Sequence, residues 1–479
     1  MPNYSKTPET IVLRGYESST LRLIHQTTQE TIDLNETESG LWEQRDFENM
    51  NGLFGRLNET GFVKPIDFAT HILEPQFDHI FPAIKSIYVK WYEESPDMIV
   101  LFNSESMRTN NPLLVLGAYG SLCWRGIMEG LSVDQIRIAA LQEFGEDEVI
   151  PFLKRLASLN FINAIPELDI IDSGEEKIVK EFSAPDVQFM IFRSRIPWYC
   201  LWEMCTKCNL RCDICYLPDF KSAGPSEEEA IRIARDIVDS GIFYVSLIGG
   251  EPMIRKDLIP IVNFLRSNGV FVKIITNGQL ITEENARLLA EAKLNLIEIS
   301  LDGMTSETHD ASRGEGSFQK CMDAIRIVRE AGIPRTAVVF TAHSGNFKDF
   351  PQLPASLREW GISDCYISLF KKTGQMGSHS KFDPLNYLDV EVLKGFVNSW
   401  EDEYPDLKVT LLPSCSCGKT SAIIGANGEL RFCSFSTTSV GSISENPLLQ
   451  VWQGKDYNSE QMIRKSGYCK KLENTIFEV

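Results

Sequence analysis

The sequence predicts an α/β protein whose centre is a partial (β/α)6 parallel barrel, preceded by an N-terminal α+β region and followed by a small C-terminal hairpin domain. Short apolar runs recur between residues 199 and 370, and helical segments separate them. Continuous apolar runs of this length are typical of strands buried on both faces of a parallel sheet. Alternation of such strands with helices predicts β/α units, in which ligands bind at the carboxyl ends of the strands.

The predicted barrel has about six β/α units. Ser226 and Glu229 have the spacing of a capping box, which predicts a helix beginning there and ending near residue 238. Further helices are predicted over residues 283–293 and 317–331. The predicted strands are residues 199–203, 242–248, 270–275, 294–299, 335–341 and 365–370.

In the N-terminal region, the sequence pattern predicts two short strands followed by three helices. Ser132 and Asp134 are candidate caps of the second helix. The strands are residues 98–102 and 113–116, and the helices are residues 121–128, 132–144 and 146–159.

A shorter internal copy of this module is also predicted. Residues 53–63 align with 152–162, and residues 34–42 align with 116–124. The alternative is chance similarity between amphipathic helices.

Composition narrows the class of protein. A chain of 479 residues predicts two to four domains, and 43% hydrophobic with 24% charged residues excludes a mostly disordered chain, a collagen-like fibre and a coiled-coil rod. No stretch approaches the roughly 20 apolar residues of a membrane helix, and the N-terminus lacks a basic-then-apolar signal, so we expect a cytoplasmic protein without a membrane partner. The net charge of -19 argues against a nucleic-acid partner, although it also serves solubility alone.

Eight of the 12 cysteines fall in two clusters, which in a chain without a secretion signal favours metal or redox chemistry. Cys208, Cys212 and Cys215 have the spacing C-x3-C-x2-C, and Tyr216 follows directly. Three thiolates on one tight loop can bind three irons of a [4Fe–4S] cube and leave the fourth open. The alternative is a structural zinc site completed by Cys205.

Polar motifs follow the predicted strands. Gly249, Gly250, Glu251 and a proline form a GGEP turn directly after residues 242–248. Glycines there allow close approach of the backbone to a ligand, and the carboxylate can accept bonds from an ammonium group. The following two strands end in polar residues, namely Asn277, Ser300 and Asp302.

In this ordered set of motifs, residues 198–370 resemble the radical S-adenosylmethionine (SAM) enzymes. The resemblance implies that the open iron binds the amino and carboxylate groups of SAM. One electron then cleaves SAM to methionine and a 5'-deoxyadenosyl radical, which abstracts a hydrogen atom from the substrate. It also implies SAM contacts by the aromatic residue of the loop, the GGEP turn and the strand ends: Tyr216, Gly249, Gly250, Glu251, Asn277, Ser300, Asp302 and Arg313. For the strand-end residues and Arg313, the alternatives are a helix cap, a turn or a salt bridge.

The C-terminal cysteines follow a second pattern. A turn over residues 426–429 predicts a hairpin that brings Cys417 and Cys433 towards one end. The pattern C-x10-G-x4-C resembles the SPASM extension of peptide-modifying radical SAM enzymes, and its shorter Twitch form in particular. The resemblance implies an auxiliary iron–sulfur cluster held by Cys417, Cys433 and Cys469, with Cys415 as a candidate fourth ligand. The alternatives are a zinc site and free thiols.

The order of strands and three helices in residues 91–165 resembles the winged-helix-like peptide-recognition domain of the pyrroloquinoline-quinone chaperone. That resemblance implies capture of a leader peptide as an added strand. A winged helix can instead bind DNA or brace the enzyme, but the acidic chain argues against DNA.

Together these resemblances predict a maturase of a ribosomally made precursor peptide that forms a thioether or carbon–carbon crosslink, with a flavodoxin or ferredoxin as electron donor. Alternatives are a peptide epimerase, for which Cys365 is a candidate hydrogen donor, a cofactor-biosynthesis enzyme acting on a small molecule, and an iron–sulfur DNA-binding or scaffold protein. The expected domains are a degenerate copy of the recognition module (1–90), the recognition domain (91–165), a linker (166–195), the partial barrel (196–385) and the auxiliary-cluster domain (386–479).

Overall fold

The computed structural model divides the chain into two compact units, Met1–Arg195 and Ile196–Val479. No helix among the described residues is long and apolar enough to cross a membrane. The described residues are 4–6, 10–14, 21–25, 31–34, 57, 63–65, 80, 82–84, 89–95, 98–103, 113–145, 147–169, 194–412, 420–436 and 438–454.

The first unit contains three small antiparallel sheets. One pairs β1 (Tyr4–Lys6) with β5 (Val63–Pro65), and a second is the meander of β2 (Thr10–Arg14), β3 (Leu21–His25) and β4 (Thr31–Leu34). The third is the meander of β6 (Val89–Ser95), β7 (Met98–Asn103) and β8 (Leu113–Leu116). The predicted strands 98–102 and 113–116 are therefore confirmed, and β6 is an additional strand.

Four helices follow the third sheet: α1 (Ala118–Met128), α2 (Val133–Phe144), α3 (Val149–Ser158) and the short α4 (Pro166–Asp169). The predicted cap Ser132 is confirmed, since its side chain accepts a bond from the Gln135 amide and Gln135 completes the capping box. Asp134 instead forms an ion pair with Arg137. Trp124, Phe152 and Phe161 lie in the shared core of the helices and the sheet.

The predicted internal copy can be compared at two aligned pairs of residues. Leu34 is the last residue of β4, as Leu116 is of β8, and the meanders that they end have the same antiparallel order. Helical Leu57 aligns with Leu156, and both are fully buried. Most of residues 35–62 lie outside the described residues, so the repeat stays a prediction.

The second unit is built on a parallel sheet. At least one helix connects each of the strands β9 to β14 to the next strand in sequence. The predicted strands are confirmed within two residues at each end. The strands are β9 (Tyr199–Glu203), β10 (Tyr244–Ile248), β11 (Phe271–Thr276), β12 (Leu296–Ser300), β13 (Thr336–Ala342), β14 (Asp364–Leu369) and β15 (Lys408–Leu411). The helices are α5 (Glu227–Asp239), α6 (Leu258–Ser267), α7 (Glu283–Glu291), α8 (Ser306–Arg313), α9 (Ser317–Glu330), α10 (Leu353–Glu359) and α11 (Tyr387–Glu403).

Local sequence explains these elements. Strands such as Leu296–Ser300 are buried along their whole length, which fits their continuous apolar runs. The helix α5 begins where the Ser226 side chain accepts a bond from the Glu229 amide, as the capping pattern predicts. One continuous apolar core lies between the sheet and its helices.

The sheet extends beyond the six predicted strands at both edges. At one edge β15 pairs parallel with β14, so α11 and β15 continue the β/α order past the predicted boundary at residue 386. At the other edge β16 (Ser421–Ile424) pairs parallel with β9, although more than 200 residues separate them in sequence. Next in the sheet, β17 (Glu429–Arg431) pairs antiparallel with β16, and β18 (Gly441–Ser442) pairs antiparallel with β17. The helix α12 (Leu448–Trp452) follows. The hairpin predicted at residues 426–429 is confirmed, and the seven parallel neighbours from β15 to β9 form the predicted α/β sheet.

Candidate functional site

The three-cysteine loop begins directly after β9, at the carboxyl end of the sheet. Cys208, Cys212 and Cys215 are partly exposed. Of the other described cysteines only Cys433 is partly exposed, and the remaining ones are buried. The three cysteines that the spacing selects as ligands are therefore less buried than Cys123, Cys200, Cys205, Cys321 and Cys365.

Glycines of neighbouring turns hold this loop at close range. A Cβ atom on Gly250 would lie 2.0 Å from the carbonyl oxygen of Lys207, and one on Gly249 would lie 2.2 Å from that of Cys205. Backbone bonds accompany the contact, since the Gly250 amide donates to Cys205 at 2.7 Å. The two glycines of the GGEP turn are thus required because the cluster loop leaves no room for a side chain.

The other side of the loop meets a second glycine turn. Gly374 has a φ of +76°, and a Cβ atom there would lie 2.2 Å from the carbonyl carbon of Tyr216. The Gly377 amide donates to the Cys215 carbonyl at 2.9 Å. The loop is consequently fixed from two directions by backbone contacts.

The thiols of the loop have raised pKa values. Burial raises the pKa of Cys212 to about 12, while the positive charge of Arg313 acts to lower it. Burial likewise raises the pKa values of Cys208 and Cys215. An isolated thiolate is thus disfavoured there, and binding of a cation would stabilise it.

The donor set fits a cluster better than a single ion. Within the described ranges no group of three or more His, Cys, Asp or Glu side chains converges as a site for one metal ion. The three thiolates that hold a [4Fe–4S] cube bind three different irons, so they need not converge on one point. Three partly exposed thiols on one fixed loop meet that requirement.

Cys205 is separated from this set by its own contacts. It is 1% exposed, and its thiol donates to the carbonyl oxygens of Lys207 at 3.4 Å and Glu251 at 3.6 Å. This placement fits a structural thiol and does not favour the alternative of a four-cysteine zinc site.

Glu251 of the GGEP turn is fully buried. Its carboxylate accepts bonds from the Met253 amide at 3.0 Å, the Thr276 hydroxyl at 2.8 Å and the Asn277 amide at 2.8 Å. Burial raises the pKa of Glu251 to about 6, and these three donors act in the opposite direction. The side chain therefore ties the end of β10 to the end of β11.

Asn277 lies beside the cysteine loop, as the strand order predicts. Its side-chain amide donates to the Asn209 side chain at 2.9 Å and lies 3.6 Å from the sulfur of Cys208. Asn209 is a neighbour of the site that the sequence analysis did not select, because an asparagine between two cysteines carries no pattern of its own.

Asp302 and Arg313 form a buried ion pair next to the loop. The second carboxylate oxygen of Asp302 accepts from the Thr341 amide at 2.8 Å, and the Asp302 amide donates to His309 at 3.1 Å. Burial opposes the charge of Arg313, but Asp302 and Cys212 raise its pKa above the ordinary value. Arg313 thus keeps a positive charge beside the thiols, and Asp302 orients it.

Ser300 ends β12 at the same edge of the sheet and is 8% exposed. Its carbonyl and that of Asn277 both accept from the buried thiol of Cys321, at 3.5 and 3.3 Å. The structure thus brings the strand-end residues of the prediction to one edge, beside the cysteine loop.

Cys365 lies elsewhere. It is the second residue of β14, fully buried in the apolar core, and burial raises its pKa. A position near the amino end of a strand is far from the carboxyl edge where the loop lies, so the structure favours the alternative of a buried thiol.

The C-terminal cysteines are only partly described. Cys433 follows β17 by two residues, and its carbonyl accepts a bond from the Ser436 amide at 3.1 Å. Cys415, Cys417 and Cys469 lie outside the described residues.

Comparison with known protein families identifies two domains in the chain. Residues 202–352 match the Radical SAM superfamily, and residues 415–473 match SPASM, an iron–sulfur cluster-binding domain. The chain is therefore an enzyme that contains a radical SAM domain and a SPASM domain. Its cofactors are a [4Fe–4S] cluster, SAM and an additional iron–sulfur cluster.

Proteins that are similar to this chain are named for different activities. An AdoMet-dependent heme synthase of Methanosarcina barkeri is 24% identical over 59% of this chain and 90% of that protein. The mycofactocin maturase MftC of Mycobacterium ulcerans is 38% identical over 32% of this chain, which spans 42% of the length of that protein. The crystal structure of Streptococcus suis SuiB bound to S-adenosylmethionine has a TM-score of 0.59 at 18% identity, over 78% of this chain and 88% of SuiB. The likeness to SuiB shows the fold.

Proposed function

We propose that the chain modifies a ribosomally made precursor peptide, capturing its leader with the N-terminal unit and abstracting a hydrogen atom from its core. One observation carries this proposal: a small sheet, β6–β8, followed by the helices α1–α3, precedes the radical SAM domain in the same chain. That arrangement resembles a peptide-recognition domain. MftC is named a maturase, and another SuiB structure is described as bound to the precursor peptide SuiA.

In this proposal Cys208, Cys212 and Cys215 hold the SAM-binding [4Fe–4S] cluster. When bound, the cluster supplies the electron that cleaves SAM into methionine and a 5'-deoxyadenosyl radical. The partial exposure of these thiols and their rigid loop support the assignment. Because the loop offers three thiolates, one iron remains open for SAM.

The same edge of the sheet would hold SAM. The backbone of Gly249 and Gly250 faces the loop, and Glu251 acts by orienting the turn, since protein donors occupy its carboxylate. Asp302 likewise orients Arg313, whose charge would attract the carboxylate of SAM. The further proposed contacts are Tyr216, Asn277 and Ser300.

The auxiliary cluster would be held by Cys417, Cys433 and Cys469, with Cys415 as the candidate fourth ligand. Partial exposure of Cys433 supports its part in this set. Four thiolates would close the cluster, and three would leave one iron open to substrate. In either case the cluster can accept an electron from a product radical, which a crosslink requires.

The proposed reaction is a thioether or carbon–carbon crosslink, with a flavodoxin or ferredoxin supplying electrons. The leader would add as a strand to a small sheet of the N-terminal unit, where main-chain bonds give affinity. Epimerisation is the alternative outcome on a peptide, but the buried position of Cys365 does not favour that residue as hydrogen donor.

A second candidate is a small-molecule reaction on a tetrapyrrole. The heme synthase of Methanosarcina barkeri favours it, because the match covers 90% of that protein. The same match covers 59% of this chain, and a tetrapyrrole substrate gives no role to a recognition-like unit of this size.

Mass measurement of the peptide separates these functions. The anaerobically reconstituted enzyme is incubated with SAM, a reductant and any short peptide encoded beside its gene, in normal and heavy water. Loss of two hydrogens supports a crosslink, whereas gain of one solvent deuterium supports epimerisation. An unmodified peptide despite continued SAM cleavage rejects the peptide function and favours the tetrapyrrole.

A further inference from the structure

A buried ion pair joins β9 of the parallel sheet to the C-terminal hairpin. Glu203 is the last residue of β9, Arg431 is the last residue of β17, and their side chains form a salt bridge. They are 2% and 6% exposed. The carboxylate of Glu203 also accepts a bond from the Tyr216 hydroxyl at 3.3 Å. We call Tyr216, Glu203 and Arg431 the bridge.

One end of the bridge belongs to the cysteine loop. Tyr216 follows Cys215 directly, and Gly374 packs against its backbone. The hydroxyl of Tyr216 is therefore attached to a rigid segment that includes a proposed ligand of the SAM-binding cluster.

The other end holds the segment around Cys433. Arg431 precedes Cys433 by two residues, and its guanidinium also donates to the carbonyl of Ser436 at 3.0 Å, three residues beyond that cysteine. Phe435 meets the ring of Tyr216 edge-on, with 5.9 Å between ring centroids. Arg431 thus holds both sides of the turn that carries Cys433, and Phe435 adds a direct contact with the loop.

Stability alone does not explain this arrangement. A buried ion pair gains little net free energy, because the removal of two charges from water offsets their attraction. Packed apolar side chains would hold the hairpin equally well. A forked guanidinium that bonds a carboxylate and a carbonyl at the same time instead fixes orientation.

We propose that the bridge is a positioning device that couples the two cluster sites, so that a change at one end alters the cluster at the other. The proposal rests on the assignment of Cys433 as an auxiliary-cluster ligand and is independent of the substrate. Tyr216, Glu203 and Arg431 act in it through the segments that they hold.

The chain contains a matched control for the bridge. Arg335 pairs with Asp364, and its guanidinium also lies 3.3 Å from the hydroxyl of Tyr366. This is the same combination of tyrosine, carboxylate and arginine, but Asp364 is the first residue of β14 and so lies at the amino end of the sheet. In this set the tyrosine hydroxyl accepts from the arginine instead of donating to the carboxylate, but its variants remove the same groups, a tyrosine hydroxyl and a forked guanidinium, away from both cluster sites.

The first arm of the test reads the auxiliary cluster. Tyr216→Phe keeps the ring and removes only the hydroxyl, and it is made in full-length protein whose SAM-cluster ligands Cys208, Cys212 and Cys215 are replaced by alanine. We expect a changed electron paramagnetic resonance spectrum and a shifted reduction potential of the remaining cluster. Tyr366→Phe in the same background leaves both unchanged.

The second arm reads the SAM-binding cluster. Arg431→Lys keeps the positive charge but removes the guanidinium that bonds Glu203 and Ser436 at the same time. SAM is added stepwise, and its binding is followed by the spectrum of the SAM-binding cluster. We expect affinity for SAM to fall roughly fivefold or more, the lower range of coupling between distinct sites. Arg335→Lys leaves the affinity unchanged.

Unaltered spectra, potential and SAM affinity in the two bridge variants would overturn the proposal, as would equal effects of the control variants. If Arg431→Lys fails to fold, the Tyr216→Phe arm decides. Absence of any cluster from the triple-alanine background with Tyr216 intact would reject the ligand assignment and overturn the proposal with it. Neither arm measures peptide modification. Failure of the proposed peptide function would therefore leave the spectra, the reduction potential and the SAM affinity as predicted, whereas failure of the bridge would not.

Discussion

Gly250→Ala tests whether the GGEP turn positions the cluster loop. The added Cβ atom would lie 2.0 Å from the Lys207 carbonyl oxygen, and ordinary contact begins near 3.4 Å, so loop and turn must separate by about 1.4 Å. Two backbone bonds cross this contact, from the Gly250 amide to Cys205 at 2.7 Å and from the Glu251 amide to Lys207 at 3.0 Å. Their loss and the overpacking together destabilise the fold by about 2–4 kcal/mol.

The functional effect should exceed the effect on stability. A displacement of about 1 Å in a reacting group can reduce the rate by roughly 100-fold. We therefore expect Gly250→Ala to lower 5'-deoxyadenosine formation by about that factor in protein reconstituted anaerobically, measured by chromatography. Iron content and the thermal unfolding midpoint are recorded on the same samples, and the midpoint should fall by roughly 5–10 °C.

Gly395→Ala is the matched control. Gly395 lies in α11, and a Cβ atom there would meet nothing within 4 Å. Alanine in a helix interior stabilises by about 0.5–1 kcal/mol relative to glycine, so this variant should gain stability and keep its activity. Gly250→Ala protein with full iron content and undiminished SAM cleavage would refute the positioning role of the turn.

Other predictions concern single side chains. Cys208→Ala should abolish SAM cleavage, whereas Cys205→Ala should keep iron and activity; equal losses in an iron assay would instead favour a four-cysteine site. Burial and Arg313 lower the pKa of His309 to about 4, so its contribution to stability is present above the unfolded pKa near 6.5 and is lost as the pH falls towards 4. His309→Asn should remove about 3 kcal/mol of this pH dependence in urea unfolding curves, and an unchanged dependence contradicts the buried neutral histidine. Cys365→Ala should cost about 1–2 kcal/mol through its cavity and leave deuterium incorporation from heavy water unchanged.

The sequence predicts the strands and helices of the parallel sheet well because their signals are local. Each signal depends on neighbouring residues: the apolar runs, the cap at Ser226 and the turn over residues 426–429. The structure confirms all three. The strand β6 was missed because Lys90 and Glu93 interrupt its apolar pattern. Short amphipathic runs of this kind do not distinguish a strand from a loop.

Long-range pairings were not predictable in the same way. Parallel pairing of β16 with β9 and the ion pair between Glu203 and Arg431 join residues more than 200 positions apart. No periodicity specifies such a partner, since register across a sheet depends on the folded neighbours. The role of Glu251 was also only partly predictable, because its donors on the next strand become visible only in the fold.

Hydrogen transfer from a labelled peptide is the most direct test of radical chemistry on a precursor. The full-length enzyme is reconstituted and given SAM, a reductant and any short peptide encoded beside its gene, synthesised with deuterium at its carbon positions. Transfer of deuterium into 5'-deoxyadenosine, together with a modified peptide, is the predicted result. Unlabelled 5'-deoxyadenosine and an unchanged peptide, in protein that cleaves SAM, would contradict a peptide substrate.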